Sequence, residues 1–283
     1  MEFMIYTSPN FTPEPQYETY PKYHIGDYLE DYFRNRFIKE SPLTNRDYIG
    51  VSWTTIYVDN KRVGFQEFLN NLPRDGKYFT VSQHDDAPME NLPANTLCFS
   101  AGGNIIRKNI IPIPLICSSL PIQPEEPKKR KLLASFVGSA THPIRISLAN
   151  VCNGVKNIDF YMRRSMPNIT SDELNLFLNK SINSKFCLCP RGYGANSFRI
   201  YECMQLGCIP VIITDKTYLP WEDELNWNEF SVIILTEQLF NLENILLSYS
   251  EEQIISMRNK IKELYPIYFS MDGVYNNILK RII

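Results

Sequence analysis

Residues 185–211 read KFCLCPRGYGANSFRIYECMQLGCIPV, and this stretch predicts a strand, a loop, a helix and a second strand in succession. Phe186 to Cys189 is a short apolar run of the kind that forms a buried strand. Phe198 to Leu206 has helix-forming composition, Gly207 is expected to end that helix, and Ile209 to Ile213 supplies the next buried strand. The stretch therefore predicts a single βαβ unit.

The loop between the first strand and the helix, residues 191–197, has the composition of an anion site. Arg191 supplies a cation, and Gly192 lets the backbone approach a ligand closely. Asn196 or Ser197 can cap the helix, so backbone N–H groups and the positive end of the helix dipole should face the loop. This arrangement is best suited to phosphate.

The helix adds two charged side chains close to the same loop. Arg199 and Glu202 are three residues apart and share a face near the helix start. Phe198, the first residue of the helix, is assigned to the same site. Arginine suits a diphosphate and glutamate suits a ribose diol. The alternative interpretation is that the two residues form only a surface ion pair and that the glycines form only a turn.

The wider sequence resembles a known family. The string FCLCPRGYGANSFRIYECMQLGCIPVII (186–213), followed by LPWEDELNW (219–227) and FSVII (230–234), closely resembles the nucleotide-sugar half of the exostosin family, glycosyltransferase family 47. The segments FVGSATHPIR (136–145) and YHIGDYLEDYF (23–33) look like the same family. The resemblance therefore covers most of the chain.

The resemblance implies a fold and an activity. The expected fold is α/β of GT-B type, with two Rossmann-like doubly wound domains facing a cleft and a C-terminal helix that crosses back. The expected activity is inverting transfer from a UDP-sugar to a glycan hydroxyl. The chain resembles the compact viral or bacterial members, and a chlorella-virus exostosin-like enzyme would make UDP-xylose the leading donor and a glycoprotein glycan the leading acceptor.

Composition narrows the class of protein. The chain has 283 residues, of which 44% are apolar and 13% aromatic, enough to build the cores of one large or two ordinary domains. A net charge of -2 offers no general attraction to nucleic acid.

We see neither a signal peptide nor an apolar run of the roughly 18 residues that span a membrane, and we expect a soluble cytoplasmic protein. Seven scattered cysteines predict reduced core thiols.

A proline-rich, basic segment suggests how the chain is divided. Pro121, Pro124 and Pro127 lead into the basic run 128–131, and strand and helix patterns alternate on both sides of it. We predict an acceptor-binding domain over residues 1–128, a nucleotide-sugar domain over 129–265, and a C-terminal helix over 266–283 that packs on the first domain.

A second strand-to-helix loop opens the C-terminal half. Gly138 and Ser139 are expected to contact the diphosphate together with the N-terminus of the following helix, and Arg145 could point into the same site. For His142 an ordinary loop position is the slightly favoured interpretation. For Arg145 a ligand contact and a structural role are nearly balanced.

The candidate base for the reaction lies in the N-terminal half. His84, Asp85 and Asp86 follow a predicted strand, and an α/β fold presents ligand-facing residues at the carboxyl ends of its strands. Asp85 is the first choice, while Asp27 and Glu30 are weaker rivals. The alternative interpretation is an aspartate-rich solvated turn.

We expect no metal at the reaction site. Metal-dependent transferases commonly carry a D-x-D sequence, which is absent here, although residues 85–86 and 222–224 superficially suggest one. Arg191, Arg199 and the helix N-terminus can neutralise a leaving diphosphate without an ion. Cys187 and Cys189 lack partners at zinc spacing. The sequence leaves two rival functions open. One is a different enzyme on the same fold, such as a UDP-sugar epimerase or a phosphorylase, and the other is a non-catalytic module that binds a nucleotide-sugar or glycan.

Overall fold

The chain forms two compact units in a computed structural model that describes residues 4–19, 26–120, 130–163 and 169–283. The first unit comprises Met1–Ile116, Tyr218–Trp221 and Tyr268–Ile283, and the second comprises Cys117–Thr217 and Glu222–Ile267. The predicted boundary at residue 128 lies outside the described residues. No helix within the described ranges is long and apolar enough to cross a membrane.

The first unit contains a five-stranded parallel sheet covered by helices. Its strands are β1 (Ile5–Tyr6), β2 (Asp47–Ile49), β3 (Tyr78–Ser82), β4 (Thr96–Ser100) and β5 (Ile110–Pro112). Its helices are α1 (Leu29–Glu40), α2 (Trp53–Val58), α3 (Phe65–Asn70) and α9 (Met271–Ile282). The described strands lie in chain order from β1 to β5. A doubly wound sheet reverses its direction of growth part-way, and the described strands of this sheet show no such reversal.

Aromatic side chains fill the core between α1 and this sheet. Phe33 of α1 packs against Tyr48 of β2, and the Tyr48 ring stacks on Phe79 of β3 with centroids 4.7 Å apart. Tyr275 brings α9 into the same cluster, because its ring centroid lies 5.0 Å from that of Phe33. The C-terminal helix therefore packs against α1, and Arg36 of α1 reinforces the contact through a 2.6 Å ion pair with Asp272.

One apolar stretch of this unit divides into a strand and a helix. The apolar segment from Ile49 to Val58 is a single unit in the sequence pattern, but β2 ends at Ile49 and α2 begins at Trp53. The Trp53 indole N–H donates to the Thr80 hydroxyl, and the carboxylate of Glu30 accepts the Thr54 backbone N–H. Those buried contacts stabilise a helical turn where the composition alone favours a strand.

The second unit contains the other parallel sheet. Its strands are β6 (Leu132–Ser139), β7 (Ile158–Arg163), β8 (Ser184–Pro190), β9 (Ile209–Thr214) and β10 (Val232–Leu235). Its helices are α4 (Pro143–Cys152), α5 (Ser171–Ile182), α6 (Phe198–Gln205), α7 (Leu242–Leu247) and α8 (Glu251–Leu264). The predicted α/β class, with one parallel sheet in each of two units, is confirmed.

The strand order of the second sheet determines where a ligand can bind. The order is β10-β9-β8-β6-β7, so the chain builds outward from β6 in both directions. The direction of growth reverses between β6 and β8, and open α/β sheets bind ligands at the carboxyl ends of the strands flanking such a switch point. Both loops that the sequence singled out in this half, after Ser139 and after Pro190, begin at those two ends.

Candidate functional site

The loop that leads from β8 into α6 has a buried cap at the start of the helix. Ser197 occupies the N-cap position, and its side chain makes no capping bond within the described part of the chain. Asn196 is fixed instead, because its Oδ1 accepts hydrogen bonds from the Ser197 backbone N–H (3.0 Å) and the Tyr201 hydroxyl (2.8 Å). Of the two predicted caps, Ser197 therefore takes the position and keeps its hydroxyl available.

Arg199 is held on three sides and retains one unpartnered donor. Its Nη2 donates to the Val137 carbonyl (2.7 Å), and its guanidinium carbon lies 3.8 Å from the centroid of the Phe177 ring. Its Nη1 is buried and has no hydrogen-bond partner among the described residues. A buried donor without an acceptor carries a free-energy cost of about 1–3 kcal/mol, which an anionic ligand would relieve.

Glu202 lies one turn further along the same helix face. It is buried, and its Oε2 lies 3.5 Å from Nε of Arg199. Burial raises the pKa of Glu202, while the charge of Arg199 opposes that shift. The two side chains are only 10% and 18% exposed, so the pair does not form the surface ion pair of the alternative interpretation.

Arg191 is the second cation of the loop and has a carboxylate partner. Its Nη1 lies 2.6 Å from Oδ1 of Asp215, which directly follows β9, and its Nη2 donates to the Tyr193 carbonyl (3.0 Å). The hydrogen bond from Arg191 lowers the pKa of Asp215. The sequence analysis missed Asp215, although the same carboxyl-end rule that selected Arg191 applies to it.

Arg145 joins the ends of β6 and β8. Its guanidinium donates to the carbonyls of Ser139 (2.9 Å), Pro190 (3.1 Å) and Arg191 (3.0 Å). Burial, with a contribution from the charge of Arg199, lowers the pKa of Arg145 to about 10. These contacts favour the structural alternative for Arg145, which holds the two loops in register.

A side chain at Gly192 would be tightly packed where Arg145 passes the loop. A Cβ on Gly192 would lie 3.2 Å from Nη2 of Arg145 and 3.3 Å from the Thr141 hydroxyl oxygen, closer than most Cβ contacts. At Gly138 a Cβ would lie 2.6 Å from Cζ of Phe136. Both predicted glycines therefore serve close packing at the edge that carries the arginines.

The first loop contributes one hydroxyl that is already oriented. Ser139 Oγ accepts a hydrogen bond from Nε of Arg163 (2.7 Å), and Arg163 also forms a 2.6 Å ion pair with Glu173 of α5. The register pairs Ser139 with Arg163 at the ends of β6 and β7. The sequence analysis missed Arg163, which ends β7 and to which the carboxyl-end rule also applies.

His142 caps the helix that follows β6. Its Nδ1 accepts the Ile144 backbone N–H at 3.3 Å, which assigns the ring proton to Nε2. Burial, reinforced by the charge of Arg191, lowers the pKa of His142, so the ring is neutral at pH 7. The capping bond supports the interpretation of His142 as a residue that shapes the loop.

Three thiols lie close together between β8 and α6. The Sγ atoms of Cys187, Cys189 and Cys203 lie within 4.8 Å of one another, and no other group with this ligand geometry occurs in the described ranges. The Cys189 thiol donates to the Cys187 carbonyl, and the Cys203 thiol donates to the Ile200 carbonyl. None of the seven cysteines, all of which are described, forms a disulfide.

The candidate base residues follow β3 in the first unit. His84 Nδ1 accepts the Asp86 backbone N–H (3.1 Å), so the neutral ring carries its proton on Nε2. Burial lowers the pKa of His84. Asn104 donates through Nδ2 to Oδ1 of Asp86 (2.9 Å) and through its backbone N–H to the Asp85 carbonyl (3.1 Å). The turn is thus half-buried and anchored, unlike a solvated turn.

Glu30 is engaged in the interior of the same unit. Its carboxylate accepts the Gln83 backbone N–H (2.7 Å) and the hydroxyl of Thr54 (2.8 Å) in addition to the Thr54 backbone N–H. Burial raises the pKa of Glu30 to about 8, against the opposing effect of these hydrogen bonds. Such a network connects α1, α2 and the end of β3, which makes Glu30 a structural group rather than a free base.

Comparison with known proteins identifies the family. The model of the exostosin GT47 domain matches residues 68–249, which is more than half of the chain. The chain belongs to the exostosin GT47 domain family. The match includes the βαβ unit with Arg191, Arg199 and Glu202 and also the turn at residues 84–86.

Curated relatives of this exostosin-family chain are much longer proteins. A probable glycosyltransferase of Arabidopsis thaliana is 37% identical over 135 residues, which cover 48% of this chain and 25% of the relative. An exostosin-1 homolog of Caenorhabditis elegans is 32% identical over 101 residues, covering 36% of this chain and 26% of the relative. The matched segments span about a quarter of the length of these two proteins.

Solved glycosyltransferase structures give more distant matches. The crystal structure of TarM covers 77% of this chain and 52% of its own length, with 10% identity and a TM-score of 0.42. A crystal structure of an alpha1,3-fucosyltransferase covers 53% of this chain and 44% of its own, with 19% identity and a TM-score of 0.35.

Proposed function

We propose that this exostosin-family protein is an inverting glycosyltransferase that transfers a sugar from a UDP-sugar to a glycan hydroxyl and forms a β-glycosidic bond. Family membership and the plant relative described as a probable glycosyltransferase support the reaction class. The observation that carries the donor site is the buried, unpartnered Nη1 of Arg199 beside Glu202, at the start of α6 and at the switch-point edge of the second sheet.

The proposed donor contacts follow from the charges at that edge. Arg191 and Arg199 neutralise the diphosphate, and the Ser197 hydroxyl with the first backbone N–H groups of α6 contacts its oxygens. Glu202 accepts a hydrogen bond from a ribose hydroxyl. Ser139, whose hydroxyl oxygen already accepts from Arg163, can donate its own proton to a phosphate oxygen.

Arg145 acts as a positioning residue in this proposal. Three of its five N–H donors are used by the carbonyls at the ends of β6 and β8. Its role is to fix the distance between the two loops that surround the diphosphate.

The chemical step needs a base and a stabilised leaving group. We propose Asp85 as the base, with Asp86 as its rival, because the ring of His84 carries its proton on the nitrogen that would have to accept one. The carboxylate takes the proton of the acceptor hydroxyl, and the hydroxyl oxygen bonds to the anomeric carbon. The bond from that carbon to the diphosphate oxygen breaks, and its electron pair leaves with UDP.

The finer details of the proposal rest on sequence resemblance. Xylose is the proposed sugar and a glycoprotein glycan the proposed acceptor, as expected for a chlorella-virus relative. The reaction is proposed to proceed without a metal, because two arginines and a helix N-terminus can neutralise the diphosphate at the proposed site.

Two measurements test the function. The first is calorimetric titration of UDP into the wild-type protein and the Arg199→Gln variant, with Glu251→Gln as the control, since Glu251 forms an ion pair with Lys185 at the opposite end of β8. We expect the control to bind UDP like the wild type and the Arg199 variant to bind it at least tenfold more weakly. Equal binding by all three proteins would refute the donor site.

The second measurement separates the transferase from its rivals. UDP-sugars are screened for UDP release in the presence of EDTA, with and without glycan acceptors, and the remaining sugar nucleotide is analysed. Transfer predicts UDP release and a glycosylated acceptor. An epimerised UDP-sugar with no UDP release would identify an epimerase, whereas UDP binding without any turnover on the acceptor panel would favour a binding module.

A further inference from the structure

Arg191 has a permanent counter-ion beside the proposed donor site. Its guanidinium is nearly buried, and the Asp215 carboxylate that pairs with it at 2.6 Å is half exposed. The hydrogen bond from Arg191 keeps the pKa of Asp215 below its ordinary value, so the carboxylate is charged at neutral pH. A phosphate group that reaches Arg191 therefore meets a charge pair instead of a bare cation.

Arg191 also makes contacts that do not involve this ion pair. Its backbone N–H donates to the Ile213 carbonyl (2.9 Å), which continues the parallel ladder that pairs Pro190 with Ile213. Its Nη2 is held independently by the Tyr193 carbonyl. Asparagine at position 215 would retain an acceptor oxygen for Nη1, so Asp215→Asn changes the charge of the site more than its shape.

Asp215 contributes strongly to the net charge at the carboxyl ends of β6, β8 and β9. Arg145, Arg191 and Arg199 meet at the carboxyl ends of β6 and β8, and among the described residues Glu202 and Asp215 are carboxylates that pair with arginines there. The neighbouring Lys216 adds a cation that interacts with both Arg191 and Asp215. Glu202 is buried, whereas Asp215 faces the solvent from which a ligand arrives. Neutralising Asp215 would add one net positive charge where the leaving diphosphate is proposed to bind.

We propose that Asp215 determines the preference of the site between the UDP-sugar and free UDP by offsetting the charge of Arg191. The proposal rests on the donor site described above. The terminal phosphate of UDP ionises a second time with a pKa of about 6, whereas in a UDP-sugar that oxygen is esterified, so UDP carries about one more negative charge at neutral pH. An uncompensated arginine attracts this extra charge most strongly. Asp215 thereby weakens product binding more than donor binding and favours release of UDP.

The test compares two ligands that differ mainly in that charge. UDP and its β-methyl ester are titrated calorimetrically into the 283-residue wild-type chain and its Asp215→Asn variant at about pH 7.5. We expect the variant to bind UDP about tenfold more tightly than the wild type does, in line with the magnitude of one partly screened charge. For the ester, the gain in affinity should be distinctly smaller than tenfold. Asp215→Glu should keep the wild-type ratio, and the matched control Glu251→Gln should change neither affinity.

The outcomes distinguish this proposal from the proposed function. Weaker UDP binding by Asp215→Asn would show that Asp215 merely positions Arg191, and an equal change for both ligands would show no discrimination; either result overturns the proposal. Should the wild type bind no UDP, the donor site fails and this inference fails with it. Thermal unfolding verifies folding of each variant, and Asp215→Ser replaces Asp215→Asn if the latter does not fold.

Discussion

Replacing Arg199 with glutamine should both destabilise the protein and weaken UDP binding, and replacing Glu202 in the same molecule should restore only the stability. Arg199→Gln removes the cation that opposes the buried charge of Glu202. Loss of one partner from a fully buried pair costs about 3–5 kcal/mol, but the separation of 3.5 Å and the residual exposure of 10–18% argue for about 2 kcal/mol here. Adding Glu202→Gln removes the uncompensated buried charge and should recover about half of the lost free energy of unfolding.

The pH dependence of this variant follows from the same carboxyl group. Burial raises the folded-state pKa of Glu202 above its unfolded value, and loss of Arg199 removes the main opposing effect. The folded state then binds the proton more tightly than the unfolded state, so the free energy of unfolding falls as pH rises above the ordinary carboxyl range. The stability deficit of Arg199→Gln should therefore be smaller at pH 5 than at pH 8.

Chemical denaturation of the four proteins of this double-mutant cycle measures stability, and calorimetry measures UDP affinity. The double variant should remain at least tenfold weaker than wild type for UDP, because it still lacks Arg199, the cation proposed to bind the diphosphate. If the double variant recovers UDP affinity along with stability, the effect of Arg199 on binding is indirect. A deficit in Arg199→Gln that is identical at both pH values would refute the coupling to Glu202.

Three further predictions address the remaining parts of the proposed machinery. Asp85→Asn should lower the rate of UDP release in the presence of acceptor by about 10²-fold or more and leave UDP affinity unchanged; an active variant would transfer the role to Asp86. Arg145→Ala should lower the free energy of unfolding by about 3 kcal/mol, since three carbonyls lose their donor, and denaturation that matches wild type would contradict its structural role. Gly138→Ala should cost about 1–3 kcal/mol in the same assay, because its Cβ would lie 2.6 Å from the Phe136 ring; unchanged stability would mean that the ring moves freely.

The local signals of the sequence were sufficient to predict the βαβ unit and to select candidate residues in its loop. The apolar run at 186–189 became β8, the helix begins at Phe198 as predicted, and Gly207 adopts the positive φ of 61° that ends it. These features depend on neighbouring residues: burial of a short apolar run, a capping residue, and a glycine without Cβ. For the same reason the candidate ligand-facing loops could be identified from strand ends.

Tertiary structure decided which partners the charged side chains at these loops have. For Arg145 the sequence left a ligand contact and a structural role nearly balanced, whereas in the structure its donors reach carbonyls 45 and 46 residues away. Asp215 becomes the partner of Arg191, and Arg163 the partner of Ser139, only because parallel pairing aligns the ends of strands that are separated along the chain. A hydrogen bond or ion pair depends on distances of a few ångströms, and for residues far apart in sequence those distances are determined by strand order and register, which local composition does not encode.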